Sequence, residues 1–368
     1  MKIILVFGTR PEAIKMAPLY HELKRNNFEV QVCVTAQHRE MLDQVLDFFE
    51  IVPHYDLDLM QPNQSLNSLS ANILSTMDAL LKESQADLVM VHGDTTTSSM
   101  VALAAFHLGI RVGHVEAGLR TYNKQAPFPE EINRQLTSRI ADIHFSPTES
   151  ATQNLLKEGI LKTNILETGN TVIDALLWTI VKIGGKDYVH PEIEDLKKRL
   201  DTNKKIVLVT GHRRESFGEG FENLCKAILQ IADRKDVLIV YPVHLNPLVK
   251  DVVYETLANI ENIVLIPPVS YPTFVWLMQQ SFLIVTDSGG VQEEAPSLGK
   301  PVLVTRDLSE RQESVEAGQS ILVGTNTQKI VEEAQNILDN SSGSKSWNNP
   351  YGNGDASKKI VSYLLNQN

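Results

Sequence analysis

The sequence predicts an α/β fold built from two doubly wound domains. Three observations carry this. Apolar runs of strand length alternate with helical patterns, the order expected of βα units around a parallel sheet. Such runs number about six in each half, on either side of a polar, charged stretch. The 368 residues also suffice for two domains of ordinary size.

In the first half the strands are read at 3–7, 30–34, 88–91, 112–115, 143–145 and 165–168. In the second half they are read at 206–209, 238–241, 263–266, 283–286, 302–304 and 321–323. The boundary falls between Gly169 and Thr202, where 184–200 reads as a connector plus a surface helix. Residues 340–355, rich in Ser, Gly and Asn, read as an exposed loop, and a short helix over 356–365 closes the chain. No repeat of solenoid period is present.

Ligands of open α/β sheets sit at the carboxyl ends of the strands, so the residues that follow each strand are the candidates. After the first strand come Gly8-Thr9-Arg10-Pro11-Glu12 and a helix carrying Lys15. Pro11 suits a first helical position. Arg10 and Lys15 lie near that helix start, where cations oppose the dipole and a bound anion relieves the conflict. After the second strand, Thr35 to Arg39 form a polar cluster suited to a loop cap or a ligand contact. His92-Gly93-Asp94-Thr95-Thr96-Thr97 follow the third; Asp94 has the chemistry of an N-cap and lands on the sheet's carboxyl edge. Glu116 directly follows the fourth strand, either paired with a neighbour such as Arg120 or held for chemistry. Pro127 to Arg134 start a helix at Pro129 with Glu130 and Glu131 in its first turn. The dipole accounts for one of these acids. The other, buried by the prolines and Phe128, would have a raised pKa and carry protons. Asp94, Glu116 and Glu130 thus face one side of one sheet, and converging carboxylates push their pKa values apart as acid–base work requires.

In the second half, Gly211-His212-Arg213-Arg214 end the first strand, and a His with two Arg suits a phosphate clamp. His244 sits on a stiff loop between Pro242 and Pro247. Phe274, beyond 263–266, suits stacking on a flat base or core packing. The stretch 283–304 organises this half: a strand, then Asp287-Ser288-Gly289-Gly290, then a helix over 291–298 opening on Glu293 and Glu294. Free N–H groups and the helix dipole attract phosphate, and paired glycines allow close backbone approach. Glu294 is placed to accept hydrogen bonds from two ribose hydroxyls. Arg311, on the charged loop after 302–304, is a candidate hydroxyl or phosphate contact.

Composition narrows the classes. A net charge of −11 and a pI near 5.4 argue against a nucleic-acid partner. Two cysteines build neither a disulfide framework nor a metal site, and no His-Glu-x-x-His run is present, so no metal is expected. No Gly-x-Gly-x-x-Gly occurs, so no dinucleotide is expected. The opening residues run straight into a strand rather than a signal peptide, and no apolar run approaches the roughly 18 residues that cross a bilayer. A cytoplasmic protein that does not enter membranes is the expectation.

The motifs GTRPEAIKMAPL, HGDTTT, HVEAGLRTYN, PFPEEINR, GNTVIDAL, GHRRESFGEG and TDSGGVQEEAPSLGKPVLV occur in this order. Together they resemble the non-hydrolysing UDP-N-acetylglucosamine 2-epimerases, from Met1 to about Leu365. The resemblance implies two Rossmann-like domains facing a central cleft, the GT-B arrangement. It divides the chain into 1–169 and 170–355, with the C-terminal helix 356–368 packing back on the first domain. It implies interconversion of UDP-GlcNAc and UDP-ManNAc without cofactor, by loss and re-addition of UDP with proton exchange at C2. By motif, Asp94, Glu116 and Glu130 match the catalytic acids and His212 lies near the leaving phosphate. Arg10 and Lys15 match diphosphate or sugar contacts, and Phe274 a uracil contact. Ser288, Gly289 and Gly290 match the phosphate turn, Glu294 the ribose acid and Arg311 a further nucleotide contact. It also implies a homodimer and, at Gln37 and His244, a second UDP-GlcNAc as allosteric effector. One loop departs: Ser309 and Gln312 stand where relatives carry Thr and Pro, while Arg311 and Glu313 remain. The rivals are a 2-epimerase of another UDP-2-acetamido sugar, a hydrolysing enzyme, a GT-B glycosyltransferase and an inactive UDP-sugar sensor.

Overall fold

The structure is a computed structural model that describes residues 1–35, 39–59, 64–211, 213, 217–307, 309, 311–340 and 348–367, without the side chains of Arg39 and Glu40. The chain divides into two compact units: Met1–Trp178 with Tyr351–Asn368, and Thr179–Pro350.

In the first unit, β1 (Lys2–Phe7), β2 (Glu29–Val34), β3 (Tyr55–Asp56), β4 (Leu88–His92), β5 (Arg111–Val115), β6 (Ile143–Ser146) and β7 (Ile165–Glu167) form one sheet in the order β3-β2-β1-β4-β5-β6-β7. Each neighbouring pair is parallel; Ile3 pairs with Val30 on one side and Leu88 on the other. Ile3 to Phe7 are buried without alternation because helices cover both faces. Between the strands run α1 (Arg10–Arg25), α2 (Arg39–Phe48), α3 (Leu66–Ser84), α4 (Thr96–His107), α5 (Glu130–Ile140) and α6 (Glu149–Lys157). Ile4, Val6, Val89 and Val91 pack with Ile73 of α3 and Val101 of α4 in a buried cluster. α7 (Thr171–Ile183) follows β7, and the division between the units falls inside it.

The second unit opens with α8 (Pro191–Arg199), within the stretch read as connector and surface helix. Its strands are β8 (Lys205–Thr210), β9 (Val237–Pro242), β10 (Ile263–Ile266), β11 (Leu283–Thr286), β12 (Val302–Val304) and β13 (Ser320–Leu322). Their order is β10-β9-β8-β11-β12-β13, again parallel throughout. The helices are α9 (Glu219–Ala232), α10 (Pro247–Leu257), α11 (Tyr271–Gln280), α12 (Gly289–Glu294), α13 (Gln312–Glu316) and α14 (Thr327–Asn340). Val207, Val209, Ile239 and Val285 pack with Ile228 of α9 and Val253 of α10.

Each unit is a Rossmann-like domain. In each, strand order reverses at one place: β1 beside β4, and β8 beside β11. In open α/β sheets such a reversal opens a crevice at the carboxyl edge, where ligands bind.

The last helix, α15 (Ala356–Leu365), belongs to the first unit, with Tyr363 edge-on to Phe145 of β6. Asp355 at its N-cap makes no side-chain capping bond. Asp174 of α7 serves instead, accepting the N–H groups of Ala356 at 3.2 Å and Ser357 at 2.9 Å.

The structure differs from two expectations. The first sheet has a seventh strand, β3, whose two residues are too few to leave an apolar run. The loop read over 340–355 is not exposed throughout: Tyr351 is fully buried and Asn349 donates to Glu293 O at 2.8 Å. Ser and Gly enrichment marked the segment, but one aromatic pins it. Among the described residues no helix is long and apolar enough to cross a membrane.

Candidate functional site

The first unit gathers charge at its strand-order reversal. Thr9 caps α1, and Glu12 completes the capping box by accepting Thr9 N–H at 2.8 Å. Glu12 does more than cap. It is buried and also accepts Gly8 N–H at 3.1 Å, Thr95 Oγ1 at 2.7 Å and Ser98 Oγ at 3.0 Å. One carboxylate therefore joins the starts of α1 and α4. Burial raises its pKa, and the bonds from Thr95, Thr9 and Gly8 hold the rise back. Glu12 is not among the residues expected at the site from sequence, although Thr9-Arg10-Pro11-Glu12 carries the spacing of a capping box.

Asp94 precedes the cap of α4 rather than forming it. Thr95 is the N-cap, accepting Ser98 N–H at 3.1 Å. The Asp94 carboxylate is thereby left to Arg134 of α5, whose NH2 group reaches Oδ2 at 2.5 Å. Asn133 of the same helix donates to Asp94 O at 3.0 Å.

Glu116 adopts a left-handed backbone, φ +62°, which costs a non-glycine residue on the order of 1–3 kcal/mol. The turn takes its side chain, 7% exposed, to Lys15 of α1, which donates to Oε2. Asn170 Nδ2 donates to the same oxygen at 2.7 Å. Arg120, the partner considered from sequence, is instead bonded to Glu158 through Nε at 2.7 Å and NH2 at 2.8 Å. His92 ends β4 with Nε2 3.9 Å from Glu116 Oε2. Burial, ahead of opposed effects from Glu116 and Lys15, lowers its pKa to about 4, so it is neutral at pH 7.

Pro129 is the N-cap of α5 and Glu130 its first residue. The buried acid of the pair is Glu131, while Phe128 is itself 61% exposed. Glu131 accepts the N–H groups of Thr121 and Tyr122, each at 3.0 Å, and Gln135 Nε2 at 2.7 Å. Burial pushes its pKa up, but these bonds and the Arg134 charge outweigh burial and leave it below the ordinary value. Glu130, half-buried, remains the proton-carrying candidate. Arg10 is the half-buried first residue of α1.

In the second unit, Asp287 Oδ2 accepts Arg213 N–H at 2.8 Å, and Arg213 Nε donates to Asp287 O at 3.1 Å. The loops after β8 and β11 are thus tied together at the reversal point. Ser288 is the N-cap of α12, which begins at Gly289, two residues before the expected start. Pro296 limits α12 to Glu294, and 295–298 continue as a 3-10 turn. Arg311 lies flat against the turn: a Cβ on Gly289 would stand 2.9 Å from its guanidinium carbon. Its Nε donates to the buried Glu293 at 2.9 Å. Ser309, the departing residue, accepts Arg311 N–H at 3.0 Å and donates to Gln292 at 2.6 Å. A hydroxyl therefore positions this loop. Glu294 accepts Tyr271 OH at 2.7 Å, and Phe274 on the same helix, α11, is half-buried. His244 is exposed and accepts Asn246 N–H through Nδ1 at 3.1 Å. His212 and Gln37 lie outside the described residues.

Two groupings result. Lys15, Glu116 and Asn170 meet in the first unit, with Asp94 on the next strand end. Ser288, Gly289, Gly290, Glu294 and Arg311 cluster about one turn in the second. The first can move protons, and the second offers N–H groups and a guanidinium to an anion.

Known proteins share this chain throughout. A family model described as UDP-N-acetylglucosamine 2-epimerase matches residues 21–365. The UDP-N-acetylglucosamine 2-epimerase of Escherichia coli (strain K12) is 54% identical over 371 residues, covering 100% of this chain and 99% of that protein. The protein of that name from Campylobacter jejuni is 52% identical, covering 99% and 97%. The crystal structure of UDP-GlcNAc 2-epimerase from Neisseria meningitidis bound to UDP-GlcNAc matches with a TM-score of 0.93 and 49% identity over all of both chains. That of the Methanocaldococcus jannaschii enzyme in complex with UDP-GlcNAc and UDP matches at 0.85 and 34%, again over all of both. The chain belongs to the UDP-N-acetylglucosamine 2-epimerase family.

Proposed function

We propose that this protein is a non-hydrolysing UDP-GlcNAc 2-epimerase that interconverts UDP-GlcNAc and UDP-ManNAc. The observation that carries the reading is the setting of Glu116. A carboxylate at a strand end, bonded on one oxygen by an ammonium and an amide, is held charged and aimed. Asp94, paired with Arg134, stands at the next strand end.

The C2 proton beside an acetamido group is weakly acidic, so its removal needs a departing group at C1. A carboxylate takes the C2 proton. The C–H electron pair becomes the C1–C2 double bond, and the C1–O bond to UDP breaks with its electrons leaving on the diphosphate. UDP then adds back at C1 while a second acid delivers a proton to the opposite face of C2. Nothing is consumed, so no cofactor is called for. Asp94, Glu116 and Glu130 are the proton carriers, each contributing roughly 10²–10⁴-fold. Arg10, His212, Arg311 and the Ser288–Gly290 turn meet the charge that develops on the diphosphate. Glu294 takes the ribose hydroxyls and Phe274 the uracil. Lys15, bonded to Glu116, holds that carboxylate ionised beside its expected role as a diphosphate or sugar contact. On this reading the product supplies ManNAc-type sugars for surface polysaccharide. The enzyme works as a homodimer, and a second UDP-GlcNAc at Gln37 and His244 acts as effector.

The test is to incubate the purified protein with UDP-GlcNAc alone and follow the anomeric signals by NMR. UDP-ManNAc appearing to a fixed ratio, with no free sugar, is expected. Stoichiometric UDP and free ManNAc, or no reaction, would overturn the reading.

A further inference from the structure

Asn170, the amide bonded to Glu116, stands between β7 and α7 and is 2% exposed. Its Nδ2 donates to Glu116 Oε2 at 2.7 Å across 54 residues of sequence. Its Oδ1 accepts Val172 N–H at 3.1 Å, which orients the amide so that nitrogen meets the carboxylate. The backbone is fixed as well. Asn170 N–H donates to Tyr351 O at 2.7 Å, where the chain re-enters the first unit. Gly169 has φ +85°, and a Cβ there would stand 3.0 Å from Tyr351 O and 3.3 Å from Gly352 Cα. Only glycine permits this approach of the returning chain.

We propose that Asn170 is a positioning residue: it fixes the direction of the Glu116 carboxylate and, with Lys15, keeps it ionised, so that Glu116 enters the cycle as proton acceptor. The inference rests on the epimerase reading above. The chemistry follows from the donor set. Lys15 and Asn170 both bond Oε2, and a hydrogen bond to the charged form of an acid favours that form. Among the described residues, the titratable groups that meet Glu116 are Lys15 from α1 and His92 at the end of β4. His92 is neutral at pH 7, so Lys15 supplies the charge and Asn170 the direction. Oε1 is the oxygen turned toward Gly93, 3.5 Å from where a Cβ would stand.

The test compares Asn170→Asp, Asn170→Ala and Asn170→Ser with the unsubstituted enzyme in the UDP-GlcNAc assay, over a pH series, alongside UDP affinity and melting temperature. Asn170→Asp is nearly isosteric and keeps the acceptor for Val172, but sets a second carboxylate against Glu116. The acid limb of kcat/KM is expected to move up by roughly one pH unit or more in Asn170→Asp, and by less in the other two. Turnover should fall on the order of tenfold to a hundredfold, with UDP affinity within about twofold of the unsubstituted value. A merely structural residue would lower melting temperature and UDP affinity together and leave the acid limb in place. That result in the variants that fold would overturn the proposal. Inactivity of the unsubstituted enzyme would instead refute the epimerase reading on which it rests.

Discussion

Glu130 and Glu131 are adjacent acids in the first turn of α5, and the fold treats them differently. Glu131 is fully buried with its oxygens taken by Thr121, Tyr122 and Gln135, while Glu130 is half-buried. The sequence could show that one acid suited the helix dipole and the other did not need to. It could not say which, because the backbone donors to Glu131 come from a turn nine or ten residues upstream. Glu131→Ala should lower unfolding free energy by about 3 kcal/mol at pH 7, since it removes a buried charged acceptor, breaks its pairing with Arg134 and leaves part-buried N–H groups unpaired. The pH dependence has a definite sign. The folded pKa lies below the ordinary value of 4.5, so the contribution of the charge is complete above that pH and is lost as pH falls through the lower folded value. Urea unfolding should therefore find the gap between the two proteins narrowing below about pH 4.5. A gap independent of pH there would contradict this account.

At the scale of elements, strand runs were legible because both sheets are parallel and covered on both faces, which leaves continuous apolar stretches. Helix starts were legible to within a residue or two, since Thr, Ser and Pro cap by chemistry that acts locally. Non-local caps were hidden. α15 was found from its own pattern, yet its cap is Asp174, 182 residues before Ala356. Asp174→Ala should destabilise the protein by about 2 kcal/mol. It should also speed hydrogen exchange at the first amides of α15 relative to those of α3. Unchanged exchange at those amides would show that the helix start does not depend on Asp174.

At the scale of the whole molecule, the two sheets share one strand order, the first with an added seventh strand, and each gathers its candidate residues at its strand ends. The sequence pointed to these strand ends because a doubly wound sheet sends its ligands to that edge. It did not reveal that Lys15 belongs to Glu116, 101 residues away, or that Arg120 belongs to Glu158. Such pairings depend on which helices the sheet order brings together. The central claim is that carboxylates of the first unit exchange the hydrogen at C2 of a UDP-sugar. Its most direct measurement is NMR of UDP-GlcNAc incubated with the protein in D₂O. Deuterium entering C2 as UDP-ManNAc forms, and entry slowed in Glu116→Gln with UDP affinity kept, is the predicted result. UDP-ManNAc formed with its original hydrogen at C2, or no exchange at all, would contradict the claim.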